Sequence, residues 1–231
     1  MLPKLDIPTF ELIIPSTKKK LKYRPFLVKE HKTLLMMKDA SDSEISRIVQ
    51  EIVDICTFNK LKGDVPSFDI EYIFAKIRAK SIGEKVDLIV SCRNCENKIP
   101  YKMDIDKLDV EMSDDHTQKF MINDNVGVEM KYPKFNINLY ALIDEGTEKY
   151  FSEIGKCIKA IYTTDGKYFE IGVDDAEELD EFLSSMTSKQ FEKVENFFLT
   201  IPKLLHKIEV MCEACGTKNA ARVEGLSNFF V

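Results

Sequence analysis

The chain has 231 residues, with 33 Lys and Arg against 39 Asp and Glu, giving a formal charge of -6 at pH 7. Hydrophobic residues at 44% and charged ones at 31% describe a globular chain that can bury a real core as one large domain or two small ones. The acidic balance argues against a surface built to displace counterions from nucleic acid; no apolar run approaches the roughly 20 residues of a membrane span and no secretory signal opens the sequence, so a cytosolic chain is expected.

Leu5, Ile7, Phe10, Leu12 and Ile14 run to Pro15, and Ser16-Thr17 turns the chain into Leu21, Tyr23 and Pro25-Phe26-Leu27-Val28, which predicts a β-hairpin. Lys18, Lys19, Lys20, Lys22 and Arg24 form a basic run that could touch nucleic acid. Their alternation with Leu21 and Tyr23 reads more simply as the wet face of a strand. A short helix is expected over Lys29–Met37. The next helix carries stronger signals: Ser41 and Glu44 form a capping box, and Ile45, Ile48, Val49, Ile52, Val53 and Cys56 recur on one face. Cys56 on that face reads as a packed thiol. A third helix opens at Ser67, places Ile70, Ile73, Phe74 and Ile77 inward and stops at Gly83.

Cys92-Arg93-Asn94-Cys95 follows the strand-like Val86–Ser91 and precedes the alternating Ile99, Tyr101, Met103 and Ile105. Far downstream, Lys207–Met211 leads into Cys212-Glu213-Ala214-Cys215, followed by Gly216, which is free to take the positive φ of a tight turn. Strand, turn with two thiols, strand, twice over, is the pattern of a zinc ribbon, with Cys92, Cys95, Cys212 and Cys215 as the four ligands of a structural Zn2+. The halves of such sites usually stand on the order of 15 to 20 residues apart, and here more than a hundred residues intervene. A disulfide or redox pair, or cysteines that merely pack, are the alternatives; a reducing compartment favours the metal.

Between the thiol pairs the chain reads as an insertion. It starts at Leu108, Val110 and Met112, crosses a polar loop at Ser113–His116, and forms a second hairpin from Phe120–Ile122 and Val126–Tyr132 about a turn at Asn123-Asp124-Asn125. Helical patterning is expected at Ile137–Ile143 and again through Tyr150, Ile154, Cys157, Ile158 and Ile161. Asp165-Gly166 marks a further hairpin between Ile161-Tyr162 and Tyr168–Ile171. An acid-rich helix start at Asp174–Leu183 and a last helix capped by Thr187 and Gln190 complete the segment. The acidic run lacks the alternating ligands and central glycine of a calcium loop.

The fold class is therefore α+β: an N-terminal hairpin and helical part over residues 1–85, a split four-cysteine module over 86–107 and 203–231, and a mixed α/β insertion over 108–202. His31 and His116 are expected at the surface, and His206 beside the thiols without ligating. Four thiolates leave no open metal position, and no glycine-rich phosphate loop, His-Glu-x-x-His or Gly-x-Ser-x-Gly occurs, so no enzyme is expected. Phe229, Phe230 and Val231 form an apolar C-terminal run suited to packing on this chain or docking on another.

Several ordered blocks carry a resemblance. Leu2-Pro3-Lys4, Lys22–Glu30, Pro66–Tyr72 with Arg78–Gly83, and the following Cys-x-x-Cys resemble the baseplate protein family of T-even-type contractile-tailed bacteriophages, closely over residues 1 to about 135 and loosely beyond. The resemblance implies a non-enzymatic structural or assembly protein of the baseplate hub. Its partners would be other phage baseplate and tail proteins, with no nucleic acid, membrane or small-molecule substrate. It would be made in the host cytoplasm and either remain in the virion baseplate or leave once the hub is built. A zinc-ribbon nucleic-acid-binding or transcription accessory factor is the competing reading.

Overall fold

The computed structural model describes residues 5–37, 40–133, 135, 146–172 and 174–224. The expected helix over Ile137–Ile143 and the C-terminal Phe229, Phe230 and Val231 lie outside these residues. The chain divides into two units, residues 1–111 with 203–231, and residues 112–202. Among the described residues there are six helices and eleven strands in small sheets, an α+β architecture.

In the first unit, β1 (Phe10–Ile13) and β2 (Lys20–Tyr23) pair antiparallel, with Phe10 opposite Tyr23. Leu12, Leu21 and Tyr23 are buried while Lys20 and Lys22 stand in solvent, the alternation of a half-buried strand. Arg24 does not join that basic face. It is 8% exposed and donates to Glu30 at 3.0 Å, and Glu30 in turn accepts the Leu27 N–H at 2.6 Å at the start of α1 (Val28–Leu35). Burial raises the Glu30 carboxyl, but the Arg24 guanidinium and the Leu27 amide outweigh it and hold the group below the usual carboxylate range.

Helix α2 (Asp42–Cys56) begins as expected, Ser41 N–H meeting Glu44 Oε2 at 3.0 Å. Its inward residues Val49, Ile52, Val53 and Cys56 are all 3% exposed or less. It packs on α3 (Ser67–Ser81), where Phe68, Ile70, Ile73, Phe74 and Ile77 are buried. Each such side chain contributes about 1.5–3 kcal/mol by leaving water. Asp69, 1% exposed in the first turn of α3, accepts from both Ser16 N and Ser16 Oγ, and so fixes the β1–β2 turn to the helix.

Two further hairpins follow one plan. β3 (Lys85–Ser91) pairs with β4 (Lys98–Asp104), and β10 (Lys203–Met211) pairs with β11 (Lys218–Glu224). The residue before each first cysteine faces a lysine, Ser91 with Lys98 and Met211 with Lys218. A short strand β5 (Asp109–Glu111) pairs with β10, Glu111 opposite Lys203 and Asp109 opposite Leu205. Leu108 and Val110 thus serve the first unit, and the division of the chain falls just after β5.

Among its described residues the second unit has a four-stranded antiparallel sheet ordered β6-β7-β8-β9 and three helices. The strands are β6 (Lys119–Met121), β7 (Val126–Met130), β8 (Ile158–Thr163) and β9 (Tyr168–Glu170), with helices α4 (Thr147–Lys156), α5 (Ala176–Ser184) and α6 (Ser188–Leu199). Ile122, Val128, Met130 and Ile158 meet Ile154, Leu183, Val194 and Phe198 in one apolar core. The expected continuation of helix through Ile158 and Ile161 is corrected here. Helix α4 ends at Lys156, and the next residues extend as β8 because Val128 and Ile161 pair across the sheet. Thr187 and Gln190 cap α6 as expected. His116 is not the surface residue that its polar loop suggested. It is half-buried, with Nδ1 3.0 Å from Thr200 Oγ1, Nε2 3.0 Å from Tyr132 OH, and its ring against Phe197. Among the described residues no helix is long and apolar enough to cross a membrane.

Candidate metal centre

Each of the paired hairpins ends in the same knuckle. After the first cysteine the chain doubles back so that Cys92 N–H donates to Asn97 O at 2.9 Å and Glu96 N–H to Cys92 O at 2.9 Å. In the second, Cys212 N–H donates to Thr217 O at 2.9 Å and Gly216 N–H to Cys212 O at 2.8 Å. The turn requires a left-handed residue just after the second cysteine, supplied by Glu96 at φ 58° and Gly216 at φ 70°. This geometry aims both thiols of a knuckle to one side.

The two knuckles face each other. Cys92 Sγ lies 3.7 Å from Cys215 Sγ, and Cys95 Sγ 3.6 Å from Cys212 Sγ. All four sulfurs lie within 4.8 Å of one another, so Cys92, Cys95, Cys212 and Cys215 could hold one metal ion. It is the only such group of His, Cys, Asp and Glu among the described residues. All six cysteines are free thiols. Cys92 and Cys212 are buried over a small apolar patch of Ile99, Val90 and Val210, whereas Cys95 and Cys215 reach the surface.

The thiols differ in acidity. The backbone amides of Asn94 and Cys95 lower Cys92, and the Thr217 hydroxyl, 3.3 Å from Sγ, leads the groups that draw Cys215 down to about 6. The Asn97 amide would lower Cys95, yet the neighbouring thiols and burial push it up to about 12. Sulfurs this close cannot all carry negative charge unless a cation sits among them. The two remaining cysteines behave otherwise: burial raises Cys56 to about 11 and Cys157 to about 12, the character of inert packed thiols.

Two asparagines that the sequence reading passed over touch the sulfurs. Asn97 Nδ2 lies 3.8 Å from Cys212 Sγ, and Asn219 Nδ2 3.5 Å from Cys92 Sγ. Aligning the hairpins does not reveal them, since Asn97 stands five residues after Cys92 and Asn219 seven after Cys212, at unmatched positions. His206 stays outside the cluster, its Nε2 2.9 Å from Tyr101 OH, which links β10 to β4. Burial lowers its pKa, and the Asp104 carboxylate opposes that.

No curated protein and no solved structure matches the chain. A family model described as T4 bacteriophage base plate protein matches residues 7–231, nearly the whole sequence. The chain belongs to the T4 bacteriophage base plate protein family, a family of structural tail proteins that engage other tail proteins in the virion.

Proposed function

We propose that this protein is a non-enzymatic structural or assembly component of the baseplate hub, held in shape by one Zn2+ bound to Cys92, Cys95, Cys212 and Cys215. The observation that carries the metal is the sulfur spacing. Thiolates about 2.3 Å from a tetrahedral zinc stand about 3.8 Å apart, and the two cross-hairpin pairs stand at 3.6 and 3.7 Å. A disulfide needs its sulfurs about 2.05 Å apart. With four thiolates the ion has no vacant position for water, so its contribution is a cross-link between distant parts of the chain.

The hub assignment rests on family membership together with the resemblance of the N-terminal blocks. Within the hub the chain presents a rigid surface to other baseplate proteins, and the apolar Phe229-Phe230-Val231 run supplies aromatic anchors of the kind that dominate docking energy. The nucleic-acid reading loses one of its five cations, since Arg24 is buried against Glu30.

The test is capture of the tagged full-length chain from infected cells, with metal measured on the same sample. Other baseplate proteins and one zinc per chain are expected. Iron in place of zinc would remove the zinc assignment and keep the four-thiolate site. Capture of nucleic acid without baseplate proteins would overturn the hub reading. Cys92→Ser and Cys215→Ser are expected to give insoluble chains; soluble variants that assemble fully would show the ion to be dispensable.

A further inference from the structure

The two hairpins share one plan, strand, Cys-x-x-Cys turn and strand with matching turn hydrogen bonds, and the asparagines break that symmetry in an informative way. Seven residues after its first cysteine, one hairpin carries Ile99 and the other Asn219. Both positions are buried beneath the sulfurs, at 8% and 4% exposure. A primary amide in so small an apolar patch costs free energy unless its polar atoms are used. Here they are: Asn219 Oδ1 accepts the Arg93 N–H at 3.0 Å, and Nδ2 donates to Thr217 O at 3.0 Å and to Cys92 Sγ at 3.5 Å. The amide's orientation is dictated, since a backbone N–H can be met only by its oxygen and a backbone carbonyl only by its nitrogen. Asn219 thus ties its own knuckle to the opposite one.

Asn97 does the reverse, reaching from the first hairpin to Cys212 Sγ in the second. Each asparagine addresses the first, buried cysteine of the other pair. We propose that Asn97 and Asn219 are a reciprocal pair of positioning residues that donate N–H to the thiolates of Cys212 and Cys92, lock the two knuckles face to face, and set how long the ion is retained. The inference rests on the four-thiolate reading above. An N–H donor stabilises a thiolate and holds its lone pairs toward the metal. Partners of this sort typically change metal affinity roughly 10- to 100-fold when lost.

The test uses the full chain loaded with Zn2+, and in parallel with Co2+. In Asn219→Asp and Asn97→Asp a carboxylate oxygen replaces the donor, with little change of shape. Zinc release to a chromophoric chelator is expected to be roughly 10- to 100-fold faster in Asn219→Asp, and several-fold faster in Asn97→Asp, whose N···S distance is longer. The Co2+ absorption should keep its tetrahedral thiolate bands in both. Val90→Ala serves as the control, because Val90 packs beneath the cluster without a bond to sulfur. It should lower thermal stability and leave release within about twofold of the parent protein. Parental release rates in the aspartate variants, or equal acceleration by Val90→Ala, would overturn the proposal. If Asn219→Asp does not fold, the exposed Asn97→Asp decides the matter, and an unchanged rate there overturns it. A parent chain that binds neither metal refutes the metal reading itself, a separate result.

Discussion

Replacing Glu96 with glycine should stabilise the protein, and replacing Gly216 with alanine should cost a comparable amount. The residues hold the same place in the two knuckles, at φ 58° and 70°. A residue with a Cβ in the left-handed region carries about 1–2 kcal/mol of steric cost. Glycine removes that cost but loses about 0.5–1 kcal/mol in chain entropy on folding. The net expectation for Glu96→Gly is a gain of about 0.5–1 kcal/mol. The bond to Cys92 O is made by the backbone amide of residue 96 and survives the change. The exposed carboxylate also leaves the neighbourhood of four thiolates. At Gly216 a new Cβ meets nothing within 4 Å, so Gly216→Ala isolates the same two backbone terms with opposite sign, a net loss of about 0.5–1 kcal/mol. Urea unfolding at clamped free zinc measures both, and 1 kcal/mol corresponds to about 2–4 °C in Tm for a chain of this size. A destabilised Glu96→Gly, or a neutral Gly216→Ala, would refute the idea that the knuckle selects its residue by φ.

Burial raises Glu71 from an ordinary 4.5 to about 7, so its contribution to stability is fully present below pH 4.5 and is lost as pH rises through 7. Glu71→Gln should flatten that window and exceed the parent by up to about 3 kcal/mol at pH 8, at 1.4 kcal/mol per pH unit; parallel stability curves from pH 4 to 8 would contradict this. Gly127 lies beneath the Tyr162 ring, where an added Cβ would collide with the ring carbons, so Gly127→Ala should lose about 1–3 kcal/mol and Tyr162→Ala should restore part of it in a double-mutant cycle. Excising residues 112–202 and joining Glu111 to Lys203 through a short turn should give a soluble chain that still binds one metal ion; failure to bind would show that the second unit is needed to bring the knuckles together.

Local signals were legible in the sequence, and pairings across long separations were not. The capping boxes at Ser41 and Thr187 and the Asp165-Gly166 turn rest on neighbours within a few residues, and the structure has them. The start of strand β8 was hidden because Ile154, Ile158 and Ile161 recur at three- and four-residue steps, as a helix face would, and only its end at Ile161-Tyr162 was marked, by the Asp165-Gly166 turn. What makes Ile158 extended is its partner Met130 in β7. His116 sits among Ser113, Asp114 and Asp115, and nothing nearby announces Thr200 or Phe197. Arg24 looked like one more cation in a basic run, although Glu30, six residues on, is close enough in sequence to have suggested the pair. The four cysteines were readable because thiol chemistry is rare and specific, which let them be matched across an interval that defeats hydrophobic patterning.

Loop entropy explains how so distant a match can be stable. Cys95 and Cys212 are 117 residues apart, and closing a loop of about 100 residues costs roughly 4–5 kcal/mol. A structural zinc site supplies on the order of 10–16 kcal/mol, so a zinc ion held by the four cysteines would carry the closure alone. The fold also reduces what it must carry. The chain leaves the first unit at Glu111 and returns at Lys203, and these two residues are opposite each other in the β5–β10 ladder. Once that ladder forms, the path left to close runs from Cys95 to Asp109 and from Leu205 to Cys212, on the order of 20 residues in all. Shortening the loop from 117 to that length is worth about 1.5 kcal/mol, roughly tenfold in metal affinity. The second unit is therefore tolerated between the thiol pairs because its ends are clamped by three residue pairs of β-ladder next to the site, and a metal ion bound at the four cysteines would keep the larger share of the task of joining the halves.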